Sequence, residues 1–207
     1  MRPCGPFLLE HIMDKLSNSH SGIDLREHAV DLLVRAAQPA RMTPDEARIV
    51  VDAMRPVQLV ADTLLFEEGD AVDNDYMVLV LEGQLRVVSS GGVPGDEVVI
   101  SVIGPGSLLG EMGVVDGGPR SASCTALTDV KLGVLTRASL LQLIEHHPGA
   151  TARLMLGLSR GLAERLRESN RRLRALSQVT RVVQAELDAA HAVNRRLLHA
   201  QDGRKKS

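Results

Sequence analysis

The segment GEMGVVDGGPRSASCTA, from Gly110 to Ala126, combines many small residues with a single glutamate and a single arginine. Glu111 and Arg120 stand in a stretch that is too apolar for an ordinary surface loop, and Ser121 directly follows the arginine. Glycines in such a stretch allow the backbone to approach a ligand closely. The flanking sequence decides which kind of domain carries this segment.

The flanks, from residue 57 to about residue 136, are short runs of Val, Leu and Ile that Gly, Pro and Asp interrupt. Runs at roughly ten-residue spacing predict a small all-β sandwich or barrel. The sequence SSGGVPGD, residues 89–96, is typical of a hairpin loop. The runs are QLVADTLLFEEGD, DYMVLVLEGQLRVVSS, DEVVISVIGPGS and SASCTALTDVKLGVLT. We therefore expect a β domain over residues 42–147.

A helix is predicted at the start of this domain. Thr43 is a good N-cap, Pro44 suits the first helical position, and Glu46 stands three residues after the cap. Residues 1–41 are expected to form an N-terminal helical extension, because DLREHAVDLLVRAA is amphipathic and follows the polar stretch SNSHSG.

A long helix is predicted after the β domain, since residues 162–202 contain neither Gly nor Pro. Such a helix is about 60 Å long and needs a partner. Heptad spacing predicts a dimeric coiled coil over residues 148–202, followed by a basic tail at 203–207. The alternative is an amphipathic helix folded back on its own domain. The seam positions are Leu166, Ser169, Leu173, Leu176, Thr180, Val183, Leu187, Ala190, Asn194 and Leu197.

The composition of the 207 residues excludes several classes of protein. The formal net charge of −2 gives no global attraction to nucleic acid or to an anionic membrane. Cys4 and Cys124 form neither a metal-ligand pattern nor a disulfide framework, which fits a reducing cytoplasm. The sequence contains no run of about 18 apolar residues, so no membrane-spanning helix is predicted. Three aromatic residues are too few for base-stacking platforms.

The chemistry of the opening segment fits a buried phosphate with one negative charge. Arg120 supplies a guanidinium and Ser121 a hydroxyl, and neighbouring backbone N–H groups add neutral donors. Glu111 repels a phosphate, so it fits only where it accepts a hydrogen bond from a sugar hydroxyl. The alternative is a solvated loop. Small residues that let the backbone approach are Gly117, Gly118, Ala122 and Ser123.

Four segments resemble the cyclic-nucleotide-binding domain of the bacterial cyclic AMP receptor protein and its relatives. They are FEEGD (66–70), LVLEGQLRVV (79–88), GPGSLLGEMGVVDGGPRSASCTA (104–126) and RASLLQLIEHHP (137–148). The resemblance covers about residues 42–175. It implies a cyclic-nucleotide-binding β-roll, mainly β with additional helices. It also implies that Arg120 and Ser121 hold the cyclic phosphate, while Glu111 and the Gly110 backbone hold the ribose 2′-hydroxyl.

The same resemblance implies further ligand-binding positions, including Ala122 beside the phosphate. The pocket walls are expected at Val87, Ile100 and Ser101. The purine is expected to meet Arg165, Ser169 and Asn170 of the long helix, the last two from the two subunits of a homodimer.

One departure from the family concerns the region after the long helix, where its transcription factors carry a winged helix-turn-helix. About thirty residues follow here and end in DGRKKS, so no such DNA-binding domain is expected. We expect a cytoplasmic bacterial sensor, not an enzyme, that binds cyclic AMP and acts through an effector protein. Neither a metal cofactor, nor DNA, nor a membrane is an expected partner.

Three alternatives remain open at this point. In the first alternative, the ligand is cyclic GMP or a cyclic dinucleotide. In the second, the β-roll is a ligand-free scaffold for a coiled-coil adaptor. In the third alternative the basic cluster in RLRESNRRLRALSQVTR, residues 165–181, binds nucleic acid non-specifically. A solvated coiled-coil face explains the same cluster, because Glu164 and Glu168 lie within helical reach.

Overall fold

The structure is a computed structural model that describes residues 21–37, 40–72, 74–90 and 97–205. The chain divides into two units, Met1–Ser159 and Arg160–Ser207. Of the sequence predictions, those for residues 1–20 and for loop residues 91–96 lie outside the described residues. The same holds for the side chains of Ala190, Asn194 and Leu197.

Two four-stranded antiparallel sheets form the centre of the first unit, with strand orders β1-β8-β3-β6 and β2-β7-β4-β5. The strands are β1 Arg55–Leu59, β2 Leu64–Phe66, β3 Tyr76–Glu82, β4 Leu85–Ser90, β5 Glu97–Ile103, β6 Leu108–Leu109, β7 Ser123–Ala126 and β8 Val130–Thr136. The helices are α1 Ser21–Ala36, α2 Pro44–Asp52, α3 Glu111–Asp116, α4 Arg137–His146 and α5 Pro148–Lys205. The predicted β-roll with a long C-terminal helix is confirmed.

Strand β3 explains how the apolar sequence YMVLVLE builds two cores at once. Successive side chains of a strand point to opposite faces of its sheet. Met77, Leu79 and Leu81 therefore pack with the helices on the outer face. Tyr76, Val78 and Val80 point the other way and pack between the two sheets. A continuous apolar run is expected where both faces of a strand are covered.

The predicted start of α2 is confirmed in its hydrogen bonds. The backbone N–H of Glu46 donates to Oγ1 of Thr43 at 3.3 Å, and the Thr43 N–H donates to Oε2 of Glu46 at 2.8 Å. The bond from the Thr43 backbone N–H, with smaller contributions from the Thr43 hydroxyl and Arg153, holds the pKa of the Glu46 carboxyl below its usual range. Nε of Arg153, on α5, donates to the other carboxylate oxygen of Glu46 at 2.8 Å. The capping box thus also joins α2 to the first turns of α5.

Helix α5 runs for 58 residues, and its second-unit part carries exposed aliphatic side chains. Leu166, Leu173 and Leu176, three predicted seam positions, are about 60% exposed, at 63%, 58% and 63%. Leucines are usually buried, so a helix that exposes them at heptad spacing in a single chain is typical of one strand of a coiled coil. The dimer itself stays a prediction.

Candidate functional site

The segment 110–126 folds as a short helix, a loop and a strand. Gly110 precedes α3 with φ +76°, and Gly117 ends it with φ +72°. Both values lie in the left-handed region, which glycine adopts without the steric penalty of other residues. The loop after Gly117 then leads through Arg120 to β7. The two glycines therefore allow the chain to reverse twice within ten residues.

Arg120 is the centre of this arrangement and is only 3% exposed. Its Nη1 donates to the carbonyl of Tyr76 at 3.0 Å and to the carbonyl of Gly110 at 3.1 Å. Its guanidinium carbon lies 4.4 Å from the ring centroid of Tyr76 and 4.6 Å from that of Phe66, within cation–π range. The structure thus brings the guanidinium of Arg120 to the carbonyl of Gly110, directly before Glu111.

Only glycine fits at position 110 beside this arginine. A Cβ atom there would lie 2.5 Å from Nη1 of Arg120 and 3.1 Å from the carbonyl oxygen of Tyr76. Gly110 therefore lets the guanidinium approach the backbone at the point where Glu111 begins α3.

Glu111 is 2% exposed and belongs to the same buried polar region. A buried carboxylate is costly unless other groups compensate its charge. A buried carboxylate and a buried guanidinium at the two ends of one short segment create a polar position inside an otherwise apolar roll. Such a position is suited to a ligand that carries both an anionic group and a hydroxyl group.

Ser121 and Ala122 occupy the loop directly after Arg120. Ser121 is exposed, whereas Ala122 is 8% exposed. Two backbone bonds fix this loop, since Arg120 N–H donates to Asp70 O and Gly69 N–H donates to Arg120 O, both at 2.8 Å. The FEEGD turn therefore determines where the loop lies.

Glu68, inside the FEEGD turn, connects this loop to strand β4. Its backbone N–H donates to Oγ of Ser123 at 2.9 Å. Its carboxylate accepts from the Ser90 N–H at 2.7 Å and from Oγ of Ser89 at 2.9 Å. These bonds, the one from the Ser90 backbone first, hold the pKa of the Glu68 carboxyl below its usual range. The turn after β2 is thus joined to β4 and to β7.

The three predicted wall positions lie in adjoining strands of the sheet that contains β7. Val87 pairs with Ser101 of β5 on one side and with Cys124 of β7 on the other. Because Val87 packs against the inner core, Ser101 faces the same inner side. Val88 pairs with Val99, so Ile100 is the extra residue of a β-bulge and is 42% exposed. The bulge turns Ile100 out of the regular alternation.

The predicted base contacts lie in the other unit. Arg165, Ser169 and Asn170 are exposed residues of α5 beyond Arg160. Their contact with a ligand stays a prediction.

Two residues that the sequence analysis did not identify hold the segment in place. Nδ2 of Asn74 donates to the carbonyls of Gly117 at 3.0 Å and Gly118 at 2.8 Å. Nη2 of Arg137, the first residue of α4, donates to the carbonyl of Gly113 at 2.5 Å. An asparagine just before a strand signals only a turn. Neither residue could be assigned to this role without the tertiary structure.

Replacing Asn74, which is 9% exposed, with alanine is expected to destabilise the roll by about 1–3 kcal/mol, because two part-buried hydrogen bonds are lost and each contributes about 0.5–1.5 kcal/mol. Urea unfolding, followed by circular dichroism, measures the change. Gln84→Ala is the control, since it removes an exposed amide from the turn after β3. Equal stability of the two variants would contradict the supporting role of Asn74.

Cys124 is fully buried in β7, and burial raises the pKa of its thiol to about 12, although the Arg120 cation acts in the opposite direction. At pH 8 a rise of this size from 9.0 lowers the thiolate fraction about 10³-fold. In a Cys4→Ala background, iodoacetamide is therefore expected to modify Cys124 at least about 10²-fold more slowly in the folded protein than in urea. Mass spectrometry measures both rates. Similar rates would contradict this burial.

The same shift has a consequence for stability at alkaline pH. Because the folded-state pKa is raised, the folded protein retains the proton that the unfolded chain loses above about pH 9. The stabilisation is fully present below that pH and is lost as the pH rises toward 12.

The described part of the chain contains no group of three or more His, Cys, Asp or Glu side chains placed to hold a metal ion. Within the same residues, no helix combines the length and the apolarity that crossing a membrane requires.

Comparisons with known proteins agree with this geometry. The family model for the cyclic nucleotide-binding domain matches residues 56–147. The CRP-like cAMP-activated global transcriptional regulator of Mycobacterium tuberculosis is 27% identical over 69% of this chain and 61% of its own length. The cyclic AMP receptor protein of Thermus thermophilus is 37% identical over 55% of this chain and 49% of its own. The chain thus spans less than two thirds of either relative.

A solved structure shows the same fold. The crystal structure of a cyclic nucleotide-binding domain from Methylobacillus flagellatus superposes with a TM-score of 0.63 and 29% identity, covering 70% of this chain and 83% of that one. The matched residues 56–147 contain both sheets, the FEEGD turn and the whole segment around Arg120. Residues 56–147 therefore match the cyclic nucleotide-binding domain family in both sequence and fold.

Proposed function

We propose that this protein is a cytoplasmic cyclic-nucleotide sensor that binds cyclic AMP, dimerises through α5 and signals through an effector protein. The observation that carries the proposal is the buried contact of Arg120 with Gly110, next to the buried Glu111. This contact supports the proposal, because a cation suited to a phosphate and a carboxylate suited to a sugar hydroxyl belong to one buried segment of the roll.

In the proposed complex, Arg120 and Ser121 bind the cyclic phosphate. The contacts of Nη1 with two backbone carbonyls fix the plane of the guanidinium before the ligand arrives. A donor fixed in advance loses less entropy on binding. Ala122, which is small and buried, leaves room for the ligand beside the loop backbone. Glu111 accepts a hydrogen bond from the ribose 2′-hydroxyl.

The charges favour a cyclic phosphodiester over a phosphate monoester. A cyclic nucleotide carries one negative charge, whereas 5′-AMP carries close to two at neutral pH. Arg120 is the one cation of the short segment, and Glu111 disfavours a second negative charge near it. Linear AMP is therefore the natural negative control.

The choice of base rests on other residues. The two relatives are named as cyclic AMP proteins, which supports adenine. The proposed wall of the pocket consists of Val87, Ile100 and Ser101. We name residues 160–205 of α5 the stem. In the proposed dimer, the purine contacts Arg165, Ser169 and Asn170 of the stem. Cyclic GMP or a cyclic dinucleotide is the alternative ligand, because a small change at these positions changes base selection.

A sensor of this kind works by a shift between two conformational states. A change from mostly inactive to mostly active requires the ligand to prefer one state by about 10⁴-fold. In this proposal the effector protein then recognises the stem or the N-terminal helices.

Thermal unfolding with a panel of nucleotides tests the proposal. At a concentration 100-fold above its dissociation constant, a ligand stabilises the folded state by about 2.7 kcal/mol. For a chain of this size we expect cyclic AMP to raise the Tm by about 5–10 °C. Smaller shifts are expected with cyclic GMP and cyclic di-GMP, and none with 5′-AMP. An equal shift with 5′-AMP, or no shift with any cyclic nucleotide, would overturn the proposed site.

A further inference from the structure

The second unit, residues 160–207, concentrates the positive charge of the protein. It contains 12 Lys or Arg and 5 Asp or Glu, a formal charge of +7, whereas residues 1–159 carry −9. The small net charge of the chain therefore hides a strong separation of charge between the two units. Every cation from residue 160 to residue 204 is an arginine.

Four of these arginines follow a strict seven-residue repeat, which we name the arginine row: Arg160, Arg167, Arg174 and Arg181. All four are exposed on the uninterrupted helix α5. Seven residues of a helix rise about 10.5 Å, so the row is about 31 Å long and nearly straight.

The arginine row does not face the apolar seam. Each of its last three members follows a seam position by one residue, which turns it by about 100° around the helix. Leu166, Leu173 and Leu176 can therefore pack against a second helix while the row stays in solvent. Dimerisation through the seam leaves this surface available.

Carboxylates of the stem neutralise only part of its charge. Glu164 pairs with Arg160 at 2.7 Å, and Glu168 pairs with Arg171 and Arg172 at 3.3 and 3.2 Å. Over the side chains that the structure describes, no ion pair or hydrogen bond engages Arg167, Arg174 or Arg181. The row thus presents three cations without a carboxylate beside them.

The surface around the row adds neutral hydrogen-bonding groups. Asn170, Ser177 and Gln178 line a shallow groove together with Arg174, Arg181 and the seam residue Leu173. Guanidinium, amide and hydroxyl groups are the side chains that commonly contact phosphate oxygens of nucleic acid.

We propose that the arginine row binds the sugar–phosphate backbone of nucleic acid without sequence preference. An acidic protein is the weaker candidate, because each exposed ion pair between side chains contributes little and loses side-chain entropy. A nucleic acid has a far higher charge density, and the release of its condensed counterions drives binding by even a few cations. No aromatic residue lies in 160–207, so bases have no stacking platform, and contact is confined to the backbone.

The test is fluorescence anisotropy of a labelled 20-base-pair DNA duplex of mixed sequence with the full chain, at 50–200 mM KCl and without cyclic nucleotide. Four phosphate contacts predict a slope of log K against log salt between about −3 and −4, or a loss of about 10²-fold in affinity over this range. In the triple variant Arg167→Gln, Arg174→Gln, Arg181→Gln, the slope is expected to be less steep by about three. The affinity of this variant for DNA is then expected to fall only about 3-fold between 50 and 200 mM KCl.

The matched control is Arg35→Gln, Arg55→Gln, Arg86→Gln, which removes three exposed arginines from the first unit and gives the same net charge. It is expected to bind as the wild type does. No binding by the wild type at 50 mM, or equal losses in the two triple variants, would overturn the proposal. If poly-glutamate displaced the labelled duplex more effectively than unlabelled DNA at the same concentration of negative charge, the arginine row would instead be a binding surface for an acidic protein. None of these outcomes bears on cyclic-nucleotide binding, because no cyclic nucleotide is present.

Discussion

Replacing Arg120 with alanine is expected to lower the affinity for cyclic AMP by at least about 10²-fold. A hydrogen bond that involves a charged group contributes about 1.5–3 kcal/mol, and the guanidinium is expected to make two to the cyclic phosphate. Equilibrium dialysis with radiolabelled cyclic AMP measures the change. Arg86→Ala is the matched control, because it removes an exposed arginine from the same roll, on β4. Its affinity is expected to equal that of the wild type.

Because Arg120 is buried and contacts Tyr76 and Gly110, the alanine variant also loses some stability. Circular dichroism therefore has to show that the variant is folded at the temperature of the binding experiment. Arg120→Lys gives an independent reading, since it retains the charge without the planar fork and is expected to bind with intermediate affinity. If Arg120→Ala bound cyclic AMP within twofold of the wild type, the assignment of the phosphate site would be wrong.

The second large effect concerns the stem. Leu176→Lys is expected to raise the dimer dissociation constant at least about 10³-fold. Each chain loses about 2 kcal/mol of apolar burial at the seam, and two like charges then meet across it. Val182→Lys is the control, because Val182 is also exposed in a single chain, at 59% against 63% for Leu176, yet lies off the seam. Sedimentation equilibrium distinguishes a dimer from the 22.3 kDa chain.

Two results would contradict the dimeric stem. One is a wild-type protein that sediments as a single chain at micromolar concentration. The other is equal weakening of the dimer by Leu176→Lys and Val182→Lys, which would place the contact elsewhere on α5.

Features that depend on neighbouring residues could be predicted from the sequence. The capping box of Thr43 and Glu46 spans three residues, and the structure contains both of its hydrogen bonds. The apolar runs predicted a small all-β domain, because a strand is recognised by its own side chains, but the division of these runs into two four-stranded sheets was not predicted. The ligand-binding roles of Gly110, Glu111 and Arg120 stay predictions, and the structure adds the hydrogen bond from Nη1 of Arg120 to the carbonyl of Gly110.

Features that depend on pairing across the roll could not be predicted. Asn74 donates hydrogen bonds to Gly117 and Gly118, which are more than forty residues away in the sequence. Glu68, in the turn after β2, accepts a hydrogen bond from Ser90 at the end of β4. The bulge at Ile100 follows from the pairing of β4 with β5, since no residue type in that strand demands it. The sequence of a single strand contains no information on its register with another.

Titration calorimetry of the purified chain with cyclic AMP shows whether the β-roll binds the nucleotide. We expect one molecule bound per chain, a micromolar or tighter dissociation constant, and no heat from the Arg120→Ala variant at the same concentrations. Absence of binding heat in the wild type at two temperatures, with cyclic AMP, cyclic GMP and cyclic di-GMP alike, would contradict this expectation. The roll would then serve as a ligand-free scaffold for the stem.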